Sequence, residues 1–138
     1  MKSEVGAALA ELRDSFSDAE VSVIEDSDGG AFVMVEPVFI GSTFSPSSTW
    51  IGFHITFPYP EADVYPHFIG AEVKYVGDGP APNQHPDGNL PTALSRGQMM
   101  PGFEKPAIQI SRRTKSVDPE TSTAAHKLRR ILEFLRTR

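Results

Sequence analysis

The sequence contains no cysteine among its 138 residues. That absence excludes disulfide bonds, cysteine-ligated zinc, iron–sulfur clusters and a thiol nucleophile. The sequence also lacks an apolar run near the ~20 residues that a membrane-spanning helix needs. Its first residues run into an acidic amphipathic stretch, which is not typical of a secretory signal. We therefore expect a cytoplasmic protein that makes no membrane contact.

Hydrophobic residues make up 39% of the chain, and the formal net charge is −5. This balance argues against a disordered chain and is sufficient to fill the core of one domain. We expect residues 1–138 to form that single domain. The 12 prolines and 11 glycines predict long, shaped loops.

Charge is distributed unevenly along the chain. Residues 1–36 hold nine acidic and two basic residues, whereas residues 112–138 hold eight basic and three acidic residues. The two ends can attract each other within the fold, or the basic end can face an acidic partner.

Apolar residues repeat with helical spacing at both ends of the chain. Near the start, we predict a helix with Ser3 as its N-cap. Near the end, Asp118-Pro119 is typical of an N-cap followed by a proline at the first helical position, and a closing helix is predicted to follow. The two apolar stripes are Val5, Ala8, Leu9, Leu12 and Phe16 in the first helix, and Ala124, Ala125, Leu128, Ile131, Leu132 and Leu135 in the last.

Between the helices, four segments have the pattern of β-strands. Residues 21–24 and 31–35 are β-prone and apolar, and residues 51–57 and 69–75 alternate apolar with other residues. Consecutive strands with turns between them predict an antiparallel meander. Residues 77–106 have no clear period and are predicted to be a long loop, followed by a short strand. The fold class is therefore α+β: N-terminal helix, four-stranded antiparallel meander, long loop and C-terminal helix.

The segment between the third and fourth strands carries a resemblance to a known family. Phe57-Pro58-Tyr59-Pro60, continuing to Tyr65-Pro66, resembles the phenylalanine-proline and tyrosine-proline segment of ubiquitin-conjugating enzymes at the same point in the order of elements. His85-Pro86-Asp87 is similar to the histidine-proline-asparagine motif of that family. The resemblance implies a ubiquitin-conjugating type of fold and a place in a ubiquitin-like conjugation pathway, of the bacterial type.

Enzymes of this family use a cysteine thiolate, which accepts the acyl group of a ubiquitin-like protein and passes it to a lysine. The resemblance places this nucleophile at Ser95 or nearby Ala93, with His85, Asp87 and Asn89 beside it. The sequence departs from the family pattern in three ways. It has no cysteine, it has Asp87 in place of the asparagine, and it lacks the double proline after the tyrosine-proline pair. A serine hydroxyl needs an adjacent base, and an aspartate opposes an oxyanion.

Two functional hypotheses follow from the resemblance. The chain is either an acyl carrier whose cysteine has been replaced, or a cysteine-less interaction module without catalysis. The implied partners are a ubiquitin-like modifier and its activating enzyme, and no cofactor is implied. A serine hydrolase built on Ser95 and His85 is a weaker hypothesis, because the Gly-x-Ser-x-Gly elbow is missing.

The histidines have no metal-ligand spacing, so no metal site is expected. His54 lies opposite the apolar face of its strand and is predicted to be a surface or partly covered residue. His67 and His85 flank the fourth strand, where they could converge with Asp63 or Asp87.

Two further segments are candidates for binding. The residues from Ser111 to Lys115, including Arg112 and Arg113, could form a phosphate-binding patch together with Arg129 and Arg130. No aromatic residues are interleaved with them, so nucleic-acid binding is not expected. The second segment is apolar, and it either folds back over the sheet or forms a contact surface. Its candidate contact residues are Met99, Met100 and Phe103.

Overall fold

The computed structural model describes residues 1–77 and 90–138. Helix α1 spans Ser3–Ser15 and helix α2 spans Ala124–Arg136. The strands are β1 Glu20–Glu25, β2 Ala31–Phe39, β3 Phe44–Ser45, β4 Ser48–Ile55, β5 His67–Gly70, β6 Lys74–Tyr75, β7 Leu94–Met100 and β8 Lys105–Ile110. Neither of these helices is long and apolar enough to cross a membrane.

Six of the strands form one antiparallel sheet in the order β1-β2-β4-β5-β8-β7. Every pairing in it is antiparallel. The four strands β1, β2, β4 and β5 are consecutive neighbours, so the predicted meander is confirmed. The α+β class with a helix at each end is confirmed as well. Strands β3 and β6 pair separately as a small second sheet.

The predicted long loop is wrong where it overlaps β7, which forms a hairpin with β8 and extends the sheet beyond the meander. The sequence of β7 hides its strand character, because Arg96 and Gly97 interrupt the alternation. The register of the pairing shifts between Ser95 and Gln98, so Arg96 and Gly97, which lie between them, form a bulge. A bulge inserts an unpaired residue and breaks the period of two.

The predicted fourth strand is also shorter than expected. Strand β5 ends at Gly70, and the Val73 N–H donates to the Gly70 carbonyl in a turn. The chain then leaves the large sheet, and Lys74–Tyr75 pairs with β3 instead. Gly70 permits this turn because a Cβ there would crowd the Glu72 carboxylate and the Thr49 hydroxyl.

Both predicted N-caps are wrong. Helix α1 follows Lys2, which has no side-chain cap bond, and the Ser3 hydroxyl donates to Glu4. Asp118 closes a separate turn, in which the Ser122 N–H donates to its carbonyl at 2.7 Å. Helix α2 starts later, with Thr123 as N-cap accepting from the His126 N–H at 3.2 Å.

We expect Thr123→Ala to lower the free energy of unfolding by about 1 kcal/mol, because the first turn of α2 loses its side-chain acceptor. The substitution also removes the hydroxyl that donates to Glu11 of α1 at 2.9 Å. Urea denaturation measures the change. Thr121→Ala, at an exposed turn position, is the matched control, and an equal loss in both variants would contradict the role of the cap.

Both helices pack on the same face of the sheet. Their predicted apolar stripes are buried against alternate residues of the strands, such as Val33, Phe53 and Ile108. Because side chains alternate between the two faces of a strand, the neighbouring residues Met34, Trp50, Phe68 and Ala107 form a second cluster on the opposite face.

The hairpin of β7 and β8 covers this second cluster. Met100 is fully buried, and its sulfur lies 2.8 Å from the position that a Cβ on Gly52 would occupy. At the turn, Gly102 has a φ of +82° and lies directly against the Phe32 ring. The prediction that this apolar segment folds back over the sheet is therefore confirmed.

Candidate functional site

The residues that the resemblance implied for catalysis are only partly described. His85, Asp87 and Asn89 lie outside residues 1–77 and 90–138. Ser95 lies on β7 opposite Gln109 of β8 and is half-buried. Its position is therefore in a paired strand, whereas an active-site loop was expected. Within the described ranges, no histidine or carboxylate hydrogen-bonds to its hydroxyl.

The three apolar candidates for binding have different environments. Met100 is buried in the second cluster, and Phe103 packs against that cluster at half exposure. Met99 points away from it and is 50% exposed. Two of the three side chains thus contribute to packing, and Met99 is the one that presents an apolar surface.

A basic cleft lies between the segment after β8 and helix α2. Its volume is about 400 Å³, which is within the usual range of small-molecule sites. The basic cleft is lined by Arg112, Arg113, Thr114, Lys115, Ser116, Lys127, Arg130 and Ile131. The predicted patch is therefore largely brought together. Arg129 does not line the cleft, because its guanidinium donates to the Ser15 hydroxyl of α1 at 2.6 Å.

Two arginines of the cleft lie over aromatic rings. The Arg112 guanidinium lies 4.2 Å from the Phe134 ring centroid, and the Arg113 guanidinium lies 3.9 Å from that of Tyr65. Stacking uses the face of a guanidinium and leaves the N–H groups along its edge available. Both side chains are therefore oriented before any ligand binds.

Lys127 anchors the wall of the cleft. Its ammonium lies 3.0 Å from both carboxylate oxygens of Asp63 and donates to the Arg112 carbonyl and the Thr114 hydroxyl at 3.0 and 2.7 Å. The Thr114 N–H also donates to Asp63 at 2.7 Å. Burial lowers the pKa of Lys127, Asp63 opposes this shift, and the positive charges of Arg130 and Arg112 add to it.

The segment that carries the family resemblance holds the surrounding elements together. Its Tyr59 hydroxyl accepts the Ala124 N–H at the start of α2 at 3.1 Å. Its Phe57 and Tyr59 carbonyls accept from the Lys2 ammonium at 2.7 and 2.8 Å. Asp63 and Tyr65 of the same segment contact residues that line the cleft: Asp63 contacts Lys127 and Thr114, and Tyr65 contacts Arg113. The segment thus connects the start of α1, the start of α2 and the wall of the cleft.

His67 is buried rather than available for catalysis. The ring is 0% exposed, tilted against Phe53 at a centroid distance of 5.1 Å, and neither nitrogen has a hydrogen-bond partner in the described ranges. Burial lowers its pKa to about 3, helped by Lys127 and opposed by Asp63. Within residues 1–77 and 90–138, no three His, Asp or Glu side chains group as a metal site.

His54 forms a pair that the sequence did not reveal. It is 30% exposed, as predicted for a partly covered residue, and lies 2.6 Å from Asp26 while stacking on Phe32. Burial would raise the pKa of Asp26, but hydrogen bonds from His54 and from the Asp28 and Gly30 N–H groups outweigh it, and the pKa is lowered. The pair fixes the turn between β1 and β2.

Sequence reasoning missed Lys127 and Asp63 as partners. They are 64 positions apart, and each is an ordinary charged residue in its local pattern. The only signal was that Lys127 interrupts the apolar stripe of α2 beside Leu128.

Comparison of the chain with known protein families, with curated proteins and with solved structures finds no match.

Proposed function

We propose that the chain is a non-enzymatic interaction module of the ubiquitin-conjugating type, which binds a ubiquitin-like modifier or its activating enzyme in a cytoplasmic conjugation pathway. The observation that carries this proposal is the position of Ser95 in a paired strand with no hydrogen-bonded base among the described residues. This position of Ser95 favours a binding function over acyl transfer.

The order of elements supports the link to this family. A leading helix, a four-stranded antiparallel meander and a closing helix on one face agree with the fold that the resemblance implies. The segment of residues 57–66 connects β4 to β5, which is the place that the resemblance assigns to it. The β7–β8 hairpin extends the sheet beyond the expected meander.

The chemistry of serine supports a role without catalysis. A hydroxyl is almost wholly protonated at neutral pH and becomes a useful nucleophile only beside a base. An oxyester formed on Ser95 would also transfer to an amine less readily than a thioester. A chain that lacks cysteine can keep the binding surface of this fold without carrying the modifier.

An adduct assay tests this proposal. We expect no covalent adduct when the protein is incubated with ATP, a ubiquitin-like protein and the activating enzyme of that ubiquitin-like protein, taken from the same organism. We expect Ser95→Ala to bind those two proteins within about twofold of the wild type, since a small change at a half-buried site costs little. Gel electrophoresis and titration calorimetry are the measurements.

A cysteine-bearing conjugating enzyme, charged in the same mixture, is the positive control. A base-labile adduct on the wild type that is lost in Ser95→Ala would overturn the proposal in favour of acyl transfer. Failure of both proteins to bind, while the positive control is charged, would overturn the pathway assignment.

A further inference from the structure

We propose that the basic cleft is a binding site for a small ligand that carries two or more linked phosphate groups. This inference goes beyond modifier binding, because it concerns a different surface and a different class of ligand. It depends on the charge, the donor groups and the size of the cleft.

The cleft has a high density of unbalanced positive charge. Asp63 neutralises Lys127. Within residues 1–77 and 90–138, no carboxylate forms an ion pair with the other four cations that line the cleft. In the described ranges, no ion pair joins the acidic residues of segment 1–36 to the basic residues of segment 112–138. Four positive charges therefore surround one small cavity.

Every polar side chain on the lining is able to donate a hydrogen bond. The Thr114 hydroxyl accepts from Lys127, so its own proton remains free to point into the cleft. Ser116 adds a second, exposed hydroxyl. Among the described residues, no carboxylate lines the cleft. Phosphate oxygens are strong acceptors, and the fork of an arginine side chain matches them in geometry.

The cleft is preorganised for such a ligand. Arg112 and Arg113 are held against their aromatic rings. Lys127 of α2 donates to the Arg112 carbonyl and the Thr114 hydroxyl, and so holds that segment against the helix. Binding therefore does not have to order these three side chains, which reduces the entropic cost of association. Ile131 supplies an apolar floor.

The size of the cleft distinguishes between classes of anion. At pH 7, two linked phosphate groups carry about three negative charges, because each has one strongly acidic oxygen and a terminal group loses a further proton near pH 6, and so they offset most of the charge of the four cations in a small volume. An acidic peptide carries one charge on each side chain and needs several residues to do the same. A nucleic-acid strand needs aromatic faces for its bases, but the faces of Tyr65 and Phe134 are occupied by arginines.

Titration calorimetry with inorganic diphosphate tests the proposal. We expect saturable binding in 100 mM NaCl, at least about tenfold tighter than binding of monophosphate or of sulfate at equal ionic strength, since the second phosphate group adds charged hydrogen bonds, which are stronger than neutral ones. Adenosine diphosphate, in a parallel titration, distinguishes a nucleotide from the bare diphosphate group.

A matched pair of variants on one helix locates the site. We expect Arg130→Gln to weaken diphosphate binding about tenfold or more. Arg129→Gln removes the same charge from the adjacent position outside the cleft and should change binding less than about twofold. Both residues are exposed, so both variants should fold, which circular dichroism verifies.

Three results would overturn the inference. The first is no saturation by diphosphate at millimolar concentration, and the second is an equal loss of affinity in Arg129→Gln and Arg130→Gln. The third is a single-stranded oligonucleotide that displaces diphosphate and binds more tightly than it does, because this would assign the cleft to nucleic acid.

Discussion

Replacing Lys127 by methionine is expected to lower the free energy of unfolding by about 3 kcal/mol, since removal of one partner from a buried ion pair leaves the other charge uncompensated. The Asp63 carboxylate would lose its cation, and the Arg112 carbonyl and Thr114 hydroxyl would lose their donor. Methionine is close to lysine in length, so the substitution removes the charge while retaining most of the packing. Urea denaturation at pH 7 measures the loss.

A double-mutant cycle separates the ion pair from the packing. We expect Lys127→Met combined with Asp63→Leu to be less destabilising than the sum of the two single variants, because no unpaired charge remains. Lys115→Met, on the exposed rim of the cleft, is the control and should stay within about 0.5 kcal/mol of the wild type. A Lys127→Met variant as stable as this control would show that the ion pair of Lys127 with Asp63 contributes nothing to the free energy of unfolding.

Acid is expected to destabilise the protein through His67. Its pKa is about 3 in the folded state against about 6.5 in an unfolded chain. Between these values the unfolded state binds the proton and the folded state does not, so stability is full above about pH 6.5 and falls as the pH decreases. The loss is about 1.4 kcal/mol per pH unit, or about 2.5 kcal/mol between pH 6.5 and 4.5.

The variant His67→Leu isolates this effect. It should flatten the dependence of stability on pH over that interval, because leucine does not titrate. At pH 7 it should be as stable as the wild type or more so, since it removes two buried ring nitrogens that have no hydrogen-bond partner among residues 1–77 and 90–138. His126→Gln, at an exposed position on α2, should keep the steep wild-type slope. Parallel slopes for all three proteins would contradict the role of His67.

Features with a local period could be predicted from the sequence. The alternation of Ile51, Phe53 and Ile55 identified β4, and the stripe of Val5, Leu9 and Leu12 identified α1, because burial on one face imposes the period of the element. The basic cleft was partly foreseen for a different local reason, because Arg112 and Arg113 are adjacent in the chain.

Features that depend on distant partners could not be predicted in this way. The site pairs Lys127 with Asp63, and the turn after β1 pairs His54 with Asp26. Nothing in the sequence near any of these residues specifies its partner. Strand β7 was missed because its bulge removes the alternation that identifies a strand, and the cap of α2 was misplaced because Asp118-Pro119 is an equally good start signal for a turn.

The bulge in β7 has a consequence for how molecules of this protein meet. Strand β7 is one border of the large sheet. At the bulge, Gly97 has a φ of +75°, and the Arg96 guanidinium bends back to the Ala71 and Val73 carbonyls at 3.2 and 2.9 Å. A strand from another molecule would meet an interrupted row of hydrogen-bonding groups there, and at the other border it would meet the exposed carboxylate of Glu20 on β1. The bulge in β7 at one border of the sheet and the negative charge on β1 at the other both oppose fibril growth by strand addition.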